Sequence, residues 1–249
     1  MKAMILAAGR GERMRPLTDT TPKPLLVVRG QPLIAWHVAA LARGGFRRLV
    51  VNTAWLGDQI ATYLSNYLST YGNPANDSLL SISYSHEQRD FGYALETAGG
   101  IARALPQLAD VFWVLASDVF VPDFEFLQAD VDRFTASDKL AHLWLVPNPS
   151  HHPGGDFGLS KAGLALNLAS DSANRCYTFS TIGLYRRAFF DTLPLGNPQG
   201  IKAPLGPLLR RAMDNQRVSA QLYLGSWTDV GTPCRLAALN LTAAATTLS

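Results

Sequence analysis

The run Lys2-Ala3-Met4-Ile5-Leu6-Ala7-Ala8, opening straight into Gly9-Arg10-Gly11-Glu12-Arg13-Met14-Arg15-Pro16-Leu17-Thr18 and on to Pro22-Lys23-Pro24-Leu25, decides how this chain is read. Its first part is an unbroken apolar run of strand length, the pattern of a strand buried on both faces. Glycines just past such a strand let backbone N–H groups come close to an anion, because no Cβ stands in the way. Arg13 and Lys23 add positive charge where the oxygens of a polyphosphate would lie. Two familiar loops do not fit. Gly9-x-Gly11-x-x-Met14 lacks the third glycine of the dinucleotide fingerprint, and no Gly-Lys-[Ser/Thr] closes the loop. An ordinary strand-to-helix turn would explain a lone Gly-x-Gly, but not a long loop holding Arg13 and a proline-flanked lysine.

Downstream, apolar runs of strand length alternate with segments of helical period. Ile34, Val38 and Leu41 fall at i, i+4 and i+7, predicting a helix over 32–43 that stops at Gly44-Gly45. Strands are expected at 48–53, 79–85 and 111–116, with helices over 57–71 and 97–105. The stretch 79–85 alternates Leu, Ile and Tyr with serine, so one face should be wetter. This order predicts a parallel sheet with helices on both faces, and ligands in such sheets bind at the carboxyl ends of the strands. Gly9–Arg15 and Ser117-Asp118 both fall there. The second half is less regular. Strands are expected at 140–146, 179–185 and 218–224, helices over 186–192 and 204–215, a turn at 151–155, and a closing helix from Pro233. No internal repeat, low-complexity segment or linker stands out, so 1–249 reads as one domain.

The bulk composition narrows the functional classes. With 249 residues, 47% apolar and 16% charged, the chain can bury a sizeable core. A net charge of +3, without a block of like charge, gives no footprint for nucleic acid or a membrane surface. Cys176 and Cys234 lack the spacing of a zinc site or a disulfide framework, and the five histidines lack metal-ligand or nucleophile spacing. The N-terminal apolar run is too short for a signal peptide, and no stretch is long enough to span a bilayer. The expectation is a cytoplasmic protein with no obligate protein partner.

Three further motifs join the loop. Glu96-Thr97-Ala98-Gly99-Gly100 opens a helix with small residues, against which a flat base could lie. A capped helix start is the plainer alternative. Ser117-Asp118-Val119 puts a carboxylate at a strand's end, where it could hold Mg²⁺, a hard cation that prefers oxygen. Trp227-Thr228-Asp229-Val230-Gly231-Thr232-Pro233 offers a second carboxylate. Taken singly, either aspartate reads as a cap or turn former.

Together these segments resemble the sugar-phosphate nucleotidyltransferase family, which includes thymidylyl- and guanylyltransferases acting on glucose and mannose 1-phosphates. The resemblance runs from Met1 to about Leu239. It implies a three-layer, Rossmann-like α/β fold with a mixed, mainly parallel central sheet, residues 1–120 being the nucleotide-binding part and the remainder sugar-binding. It implies that Ala8, Gly9, Gly11, Arg13 and Lys23 wrap a triphosphate. Glu96, Thr97, Ala98 and Gly99 would contact base and ribose, and Asp118 and Asp229 would share Mg²⁺. The implied catalytic set is Arg13, Lys23, Asp118 and Asp229. Glu96 stands where many relatives have glycine, and the longer approach 87–95 leaves Glu87 without an assigned role.

For the sugar, Gly155-Asp156-Phe157-Gly158-Leu159 could set Asp156 and Gly158 beside hydroxyls. Phe179-Ser180-Thr181-Ile182-Gly183-Leu184-Tyr185 resembles a family strand facing the sugar, with Thr181 where asparagine is common. Lys161 and Lys202 are candidate partners for a sugar carboxylate, or else solvated surface lysines. The Glu-Thr-Ala-Gly-Gly and Gly-Asp-Phe-Gly-Leu elements are most similar to the branch that joins UTP to N-acetylmuramate 1-phosphate in peptidoglycan recycling. A guanylyl- or thymidylyltransferase is the alternative enzyme, and a non-catalytic sugar-nucleotide binder the alternative of another class. No β-helix acyltransferase domain is expected within the 249 residues.

Overall fold

A computed structural model describes residues 2–71, 79–168 and 176–246. Along the chain, β1 (Lys2–Ala7) leads through a loop with α1 (Leu17–Thr20) and the hairpin β2 (Val27–Val28) and β3 (Gln31–Pro32) to α2 (Leu33–Arg43). Next come β4 (Arg48–Thr53), α3 (Gly57–Tyr71), β5 (Ser81–His86), the short α4 (Glu87–Phe91), α5 (Glu96–Ala104), β6 (Val111–Ala116) and β7 (Val119–Phe120). There follow α6 (Gln128–Ala136), β8 (Ala141–Val146), β9 (Phe157–Leu159), β10 (Ala165–Leu166), β11 (Cys176–Arg186), α7 (Leu205–Asp214), β12 (Val218–Leu222), β13 (Thr228–Asp229) and α8 (Pro233–Thr246).

The alternation expected from apolar spacing is present. β4, α3 and β6 fall where the pattern puts them. α2 stops at its glycine pair because Gly45 takes a left-handed φ of 87° and Phe46 N–H returns to Leu41 O at 2.9 Å, closing the last turn. In β5, Ser81 and Ser83 are exposed while Ile82 and Tyr84 are half-buried, as the alternation implies. The expected helix over 186–192 is a correction. β11 runs on to Arg186, and only a 3-10 turn, Arg187–Phe190, follows. Phe189 and Phe190 are both buried, so burial there follows consecutive rather than helical positions. α6 escaped the sequence reading, since only Val131 and Phe134 mark its inner face.

The chain divides into two compact units. One comprises Met1–Met4, Leu95–Leu115 and Leu127–Gly225. Its strands run in the order β10-β9-β11-β6, with β8 also on β11 and β12 on β8. β11 is antiparallel to β6, β8 and β9, whereas β12 is parallel to β8, so β6, β8 and β12 share one direction. Trp113, Leu143, Leu145, Ile182, Leu184 and Tyr185 are buried in this sheet, each 1% exposed or less.

The other unit comprises Ile5–Ala94, Ala116–Phe126 and Ser226–Ser249. It holds the Ile5–Ala7 half of β1, then β4 and β5, which are parallel, and a separate antiparallel pair, β7 with β13. Val28, Leu33, Phe120 and Val230 form a buried cluster, with Trp36, Leu236 and Leu239 packed on it. The central sheet is thus mixed and mainly parallel. Among the described residues, no helix is long and apolar enough to cross a membrane.

Candidate functional site

The phosphate-type loop lies in the second unit and is folded upon itself. Gly11 has φ 71°, a left-handed conformation that suits glycine, and a Cβ there would lie 3.0 Å from Thr18 Cγ2 and 3.3 Å from Lys23 Cβ. Thr18 Oγ1 donates to Gly11 O at 2.8 Å, and buried Met14 anchors the short turn Glu12–Met14. Arg10 points back into the protein. Its guanidinium stacks on Trp55 at 3.8 Å, donates to Thr18 O at 2.7 Å and pairs with Asp19 at 3.0 Å. Arg10, and then Arg15 at 2.8 Å, hold the Asp19 carboxyl below the usual carboxylate range. Gly9 and Arg13 are exposed, while Ala8 is buried. Arg13 thus remains on the surface of the loop, and Arg10 is a brace that residue type alone does not distinguish from a phosphate ligand.

Lys23 is only 8% exposed, set between Pro22 and Pro24 in a 3-10 turn. Its Nζ donates to Asp118 Oδ2 at 2.7 Å. Asp118 follows β6 and precedes β7, whose partner β13 carries Asp229. Asp229 is opposite Val119, and Val230 N–H donates to Asp118 O at 2.9 Å. Two aspartates far apart in sequence are therefore neighbours across one backbone ladder. Asp229 Oδ2 pairs with Arg235 Nη1 at 3.2 Å. Gly231 makes that geometry possible: a Cβ there would collide with Arg235 Nη2 and lie 2.7 Å from Asp229 Oδ1. Nothing in the spacing of residues marks Arg235 for this role, although its place in the first turns of α8 puts it on the side of Gly231.

Behind β7, His37 of α2 is 2% exposed and meets the backbone of Val119, and Trp36 packs edge-on against Phe120 at 5.2 Å. Burial pushes the His37 ring down to about 4, against the opposing pull of the Val119 backbone and the Asp118 charge. The histidine is thus a neutral wall behind Asp118.

The donor set suits Mg²⁺. That ion keeps several waters and is held by one or two carboxylates plus substrate phosphates, so a cage of three protein ligands is not required. No cluster of three or more acidic, histidine or cysteine side chains with metal-site geometry occurs among the described residues. The cations now on Asp118 and Asp229 mark both carboxylates as positions for positive charge.

The remaining predicted residues lie in the first unit. Glu96 is exposed and heads α5 with φ 59°, a left-handed value that suits glycine better than glutamate. Ala98 N–H and Gly99 N–H both donate to Ala203 O, at 2.9 and 3.1 Å. A Cβ on Gly99 would collide with Ile201 O, so that glycine admits the 201–203 backbone. Asn197, fully buried, donates to Gly99 O and Ile201 O and accepts from Ile201 N–H, tying exposed Lys202 and its neighbours to α5. Thr97 is half-buried beside them.

Asp156 is engaged by the fold. Oδ2 accepts from Phe179 N–H at 2.8 Å and Oδ1 faces His152 Nε2 at 3.1 Å. Gly158 sits in β9, where a Cβ would collide with Leu168. Thr181 occupies a bulge in β11, with φ 68° and a buried Oγ1 that meets no hydrogen-bond partner. Such a φ is rare for a β-branched residue, and asparagine tolerates it better.

Residues 2–246 match the Nucleotidyl transferase family. The N-acetylmuramate alpha-1-phosphate uridylyltransferase of Neisseria meningitidis serogroup B is 46% identical over 237 residues, 95% of each chain. The mannose-1-phosphate guanylyltransferase catalytic subunit beta of Dictyostelium discoideum is 36% identical over 94% of this chain, which spans 62% of that relative. Among solved structures, a UDP-glucose pyrophosphorylase from Acinetobacter baumanii superposes with a TM-score of 0.74 at 17% identity, covering 97% of this chain and 92% of that one. The inositol-1-phosphate CTP transferase of T. maritima gives 0.72 at 15%, covering 97% and 95%.

Proposed function

Because this chain belongs to the Nucleotidyl transferase family, we propose that it transfers a uridylyl group from UTP to N-acetylmuramate 1-phosphate, releasing pyrophosphate. The observation that carries the chemistry is the β7–β13 ladder, which sets Asp118 beside Asp229 with the Lys23 ammonium on the first carboxylate. The choice of substrates rests on the Neisseria relative, alike along 95% of both chains.

A phosphate oxygen of the sugar 1-phosphate attacks the α-phosphorus of UTP. The bond from that phosphorus to the bridging oxygen breaks, and pyrophosphate departs with the electron pair. Such a step needs alignment and charge neutralisation rather than a covalent enzyme intermediate. Backbone N–H groups at Ala8, Gly9 and Gly11 receive the triphosphate, and Arg13 and Lys23 neutralise its oxygens. Asp118 and Asp229 would hold Mg²⁺, which supplies positive charge and orientation at the reacting phosphate. Asp118 also aims Lys23, since an ammonium on a flexible stem has no preferred direction of its own.

Glu96, Thr97, Ala98 and Gly99 would meet base and ribose, and Asp156, Gly158 and Thr181 the sugar side. N-acetylmuramate carries a lactyl carboxylate that needs a cation or N–H partner when buried. Lys161 and Lys202 are the lysines we assign to that test. The reaction fits peptidoglycan recycling in the cytoplasm, where UTP is at hand.

A pyrophosphate-release assay over four nucleoside triphosphates and the 1-phosphates of N-acetylmuramate, N-acetylglucosamine, glucose and mannose tests the assignment. UTP with N-acetylmuramate 1-phosphate should give the highest kcat/KM. Equal or better use of sugars lacking the lactyl group would sink the muramate assignment and leave the nucleotidyltransferase.

A further inference from the structure

Glu87 is fully buried, yet the reaction above gives its carboxylate no part. It begins α4, directly after β5. Its Oε1 accepts from Asn52 Nδ2 at 2.6 Å, and the far side of that amide, Oδ1, accepts from Ala7 N–H at 2.9 Å. Asn52 is itself 3% exposed. Ala7 is the last residue of β1, and Ala8-Gly9 follow, so a chain of three groups runs from Glu87 to the root of the phosphate loop.

The order of groups has a chemical reason. An asparagine amide presents a donor on one side and an acceptor on the other, and a half-turn of the side chain exchanges them. A carboxylate oxygen that carries no proton can only accept. Glu87 therefore holds the Asn52 NH₂ toward itself, which leaves the C=O facing Ala7 N–H. That contact is short, at 2.6 Å. Were the amide reversed, its NH₂ would face the Ala7 N–H donor and the strand end would lose its anchor. The loop N–H groups must meet phosphate oxygens within a few tenths of an ångström, so a shift at their root is felt in binding.

We infer that Glu87 is a positioning residue for nucleotide binding: through Asn52 it orients the backbone at the end of β1, and with it the N–H groups at Gly9 and Gly11. The inference rests on the nucleotidyl-transfer reading, and it makes Glu87 a group that touches neither metal nor substrate.

The test compares Glu87→Ala, Glu87→Gln, Asn52→Asp and the exchange Asn52→Asp/Glu87→Gln. A glutamine at 87 still offers an acceptor to Asn52. Asn52→Asp alone puts two carboxylates face to face. The exchange rebuilds the chain, one aspartate oxygen accepting from Ala7 N–H and the other from the glutamine NH₂. Glu87→Ala and Asn52→Asp should raise the KM for UTP by about tenfold or more, with kcat and the KM for the sugar phosphate changing less. Glu87→Gln and the exchange should stay within about threefold of wild type. Calorimetric titration with Mg²⁺–UTP should give the same ranking without turnover. If Glu87→Gln is as damaging as Glu87→Ala and the exchange recovers nothing, the carboxylate acts by its charge on ligand or metal and the inference fails. A wild-type protein that neither binds nor turns over any nucleotide would instead overturn the functional reading. Should Glu87→Ala not fold, Asn52→Asp against the exchange decides alone.

Discussion

In the second unit, the carboxylates assigned to the reaction face cations: Lys23 lies 2.7 Å from Asp118, and Arg235 3.2 Å from Asp229. In the first unit, the carboxylate singled out by the same kind of reasoning, Asp156, faces the backbone N–H of Phe179 at 2.8 Å and His152 at 3.1 Å. The difference separates carboxylates whose partner can be exchanged from one whose partner is the backbone. A cation partner on a partly exposed side chain can be exchanged for a metal or a phosphate's counter-charge. A backbone N–H in a strand has nowhere to go, so the Asp156 oxygen that satisfies it is committed to the fold, and only the oxygen facing His152 is left to turn to a sugar hydroxyl. The first unit's other candidates stand out by shape: Glu96 and Thr181 hold left-handed backbone, and Gly99 and Gly158 admit close neighbours.

The largest expected effect tests that contrast directly. Asp118→Asn and Asp229→Asn should each lower kcat by about 100-fold or more, as for lost metal placement, and chelator should abolish wild-type turnover. Asp156→Asn should leave the Mg²⁺ midpoint of activity unchanged and lower stability by about 1 kcal/mol, because a charged acceptor of a strand N–H is lost. Steady-state rates across a Mg²⁺ titration, paired with urea unfolding, measure both. A shift of the midpoint in Asp156→Asn as large as in Asp229→Asn would erase the distinction.

A second test sharpens the comparison through one histidine in each unit. Burial pushes both His37 and His142 down to about 4. Each binds its proton near 6.5 when unfolded, so between the two values the unfolded chain holds more protons and stability falls as pH falls. The stabilisation is fully present above 6.5 and lost toward 4. For His37 the window corresponds to about 3 kcal/mol. Urea unfolding at pH 7 and pH 4.5 should show a loss, and His37→Gln should be less stable at pH 7 but flatter with pH. His142→Gln should flatten the curve too, without the change in Mg²⁺ dependence expected when the wall behind Asp118 is altered. A pH slope identical in wild type and both variants would refute these assignments.

The smallest effect concerns backbone shape. Thr181→Asn should stabilise the protein by about 1 kcal/mol, because asparagine accepts the left-handed conformation at less cost than a β-branched residue. The KM for the sugar phosphate should move while that for UTP does not. A lower melting temperature for Thr181→Asn would show that the bulge favours threonine for its packing.

How much was legible beforehand differs along the same line. The strand-to-loop run at Lys2–Gly11 announced itself because backbone chemistry is local: an apolar run forms the strand, and glycine permits the left-handed turn at Gly11. Lys23, Asp118 and Asp229 were visible by residue type and motif, and the alternation of strands and helices by apolar period. The sequence alone also carried the family resemblance, since motifs that serve one reaction sit at fixed places along the chain. Folding decided the rest. No spacing joins residue 118 to residue 229; the β7–β13 ladder does, through hydrogen bonds between strands from distant segments. Arg10 was given no role by its place in the loop, and the Trp55 ring and Thr18 carbonyl around it make it a brace. Arg235, Asn52 and Glu87 carry no local signal, because a polar side chain's role depends on which partner the fold brings within 3 Å or so. Sequence determines which groups are available and where the chain can turn; only the tertiary structure decides which of them meet, because hydrogen bonds and ion pairs act over a few ångströms in space and not over positions in the chain.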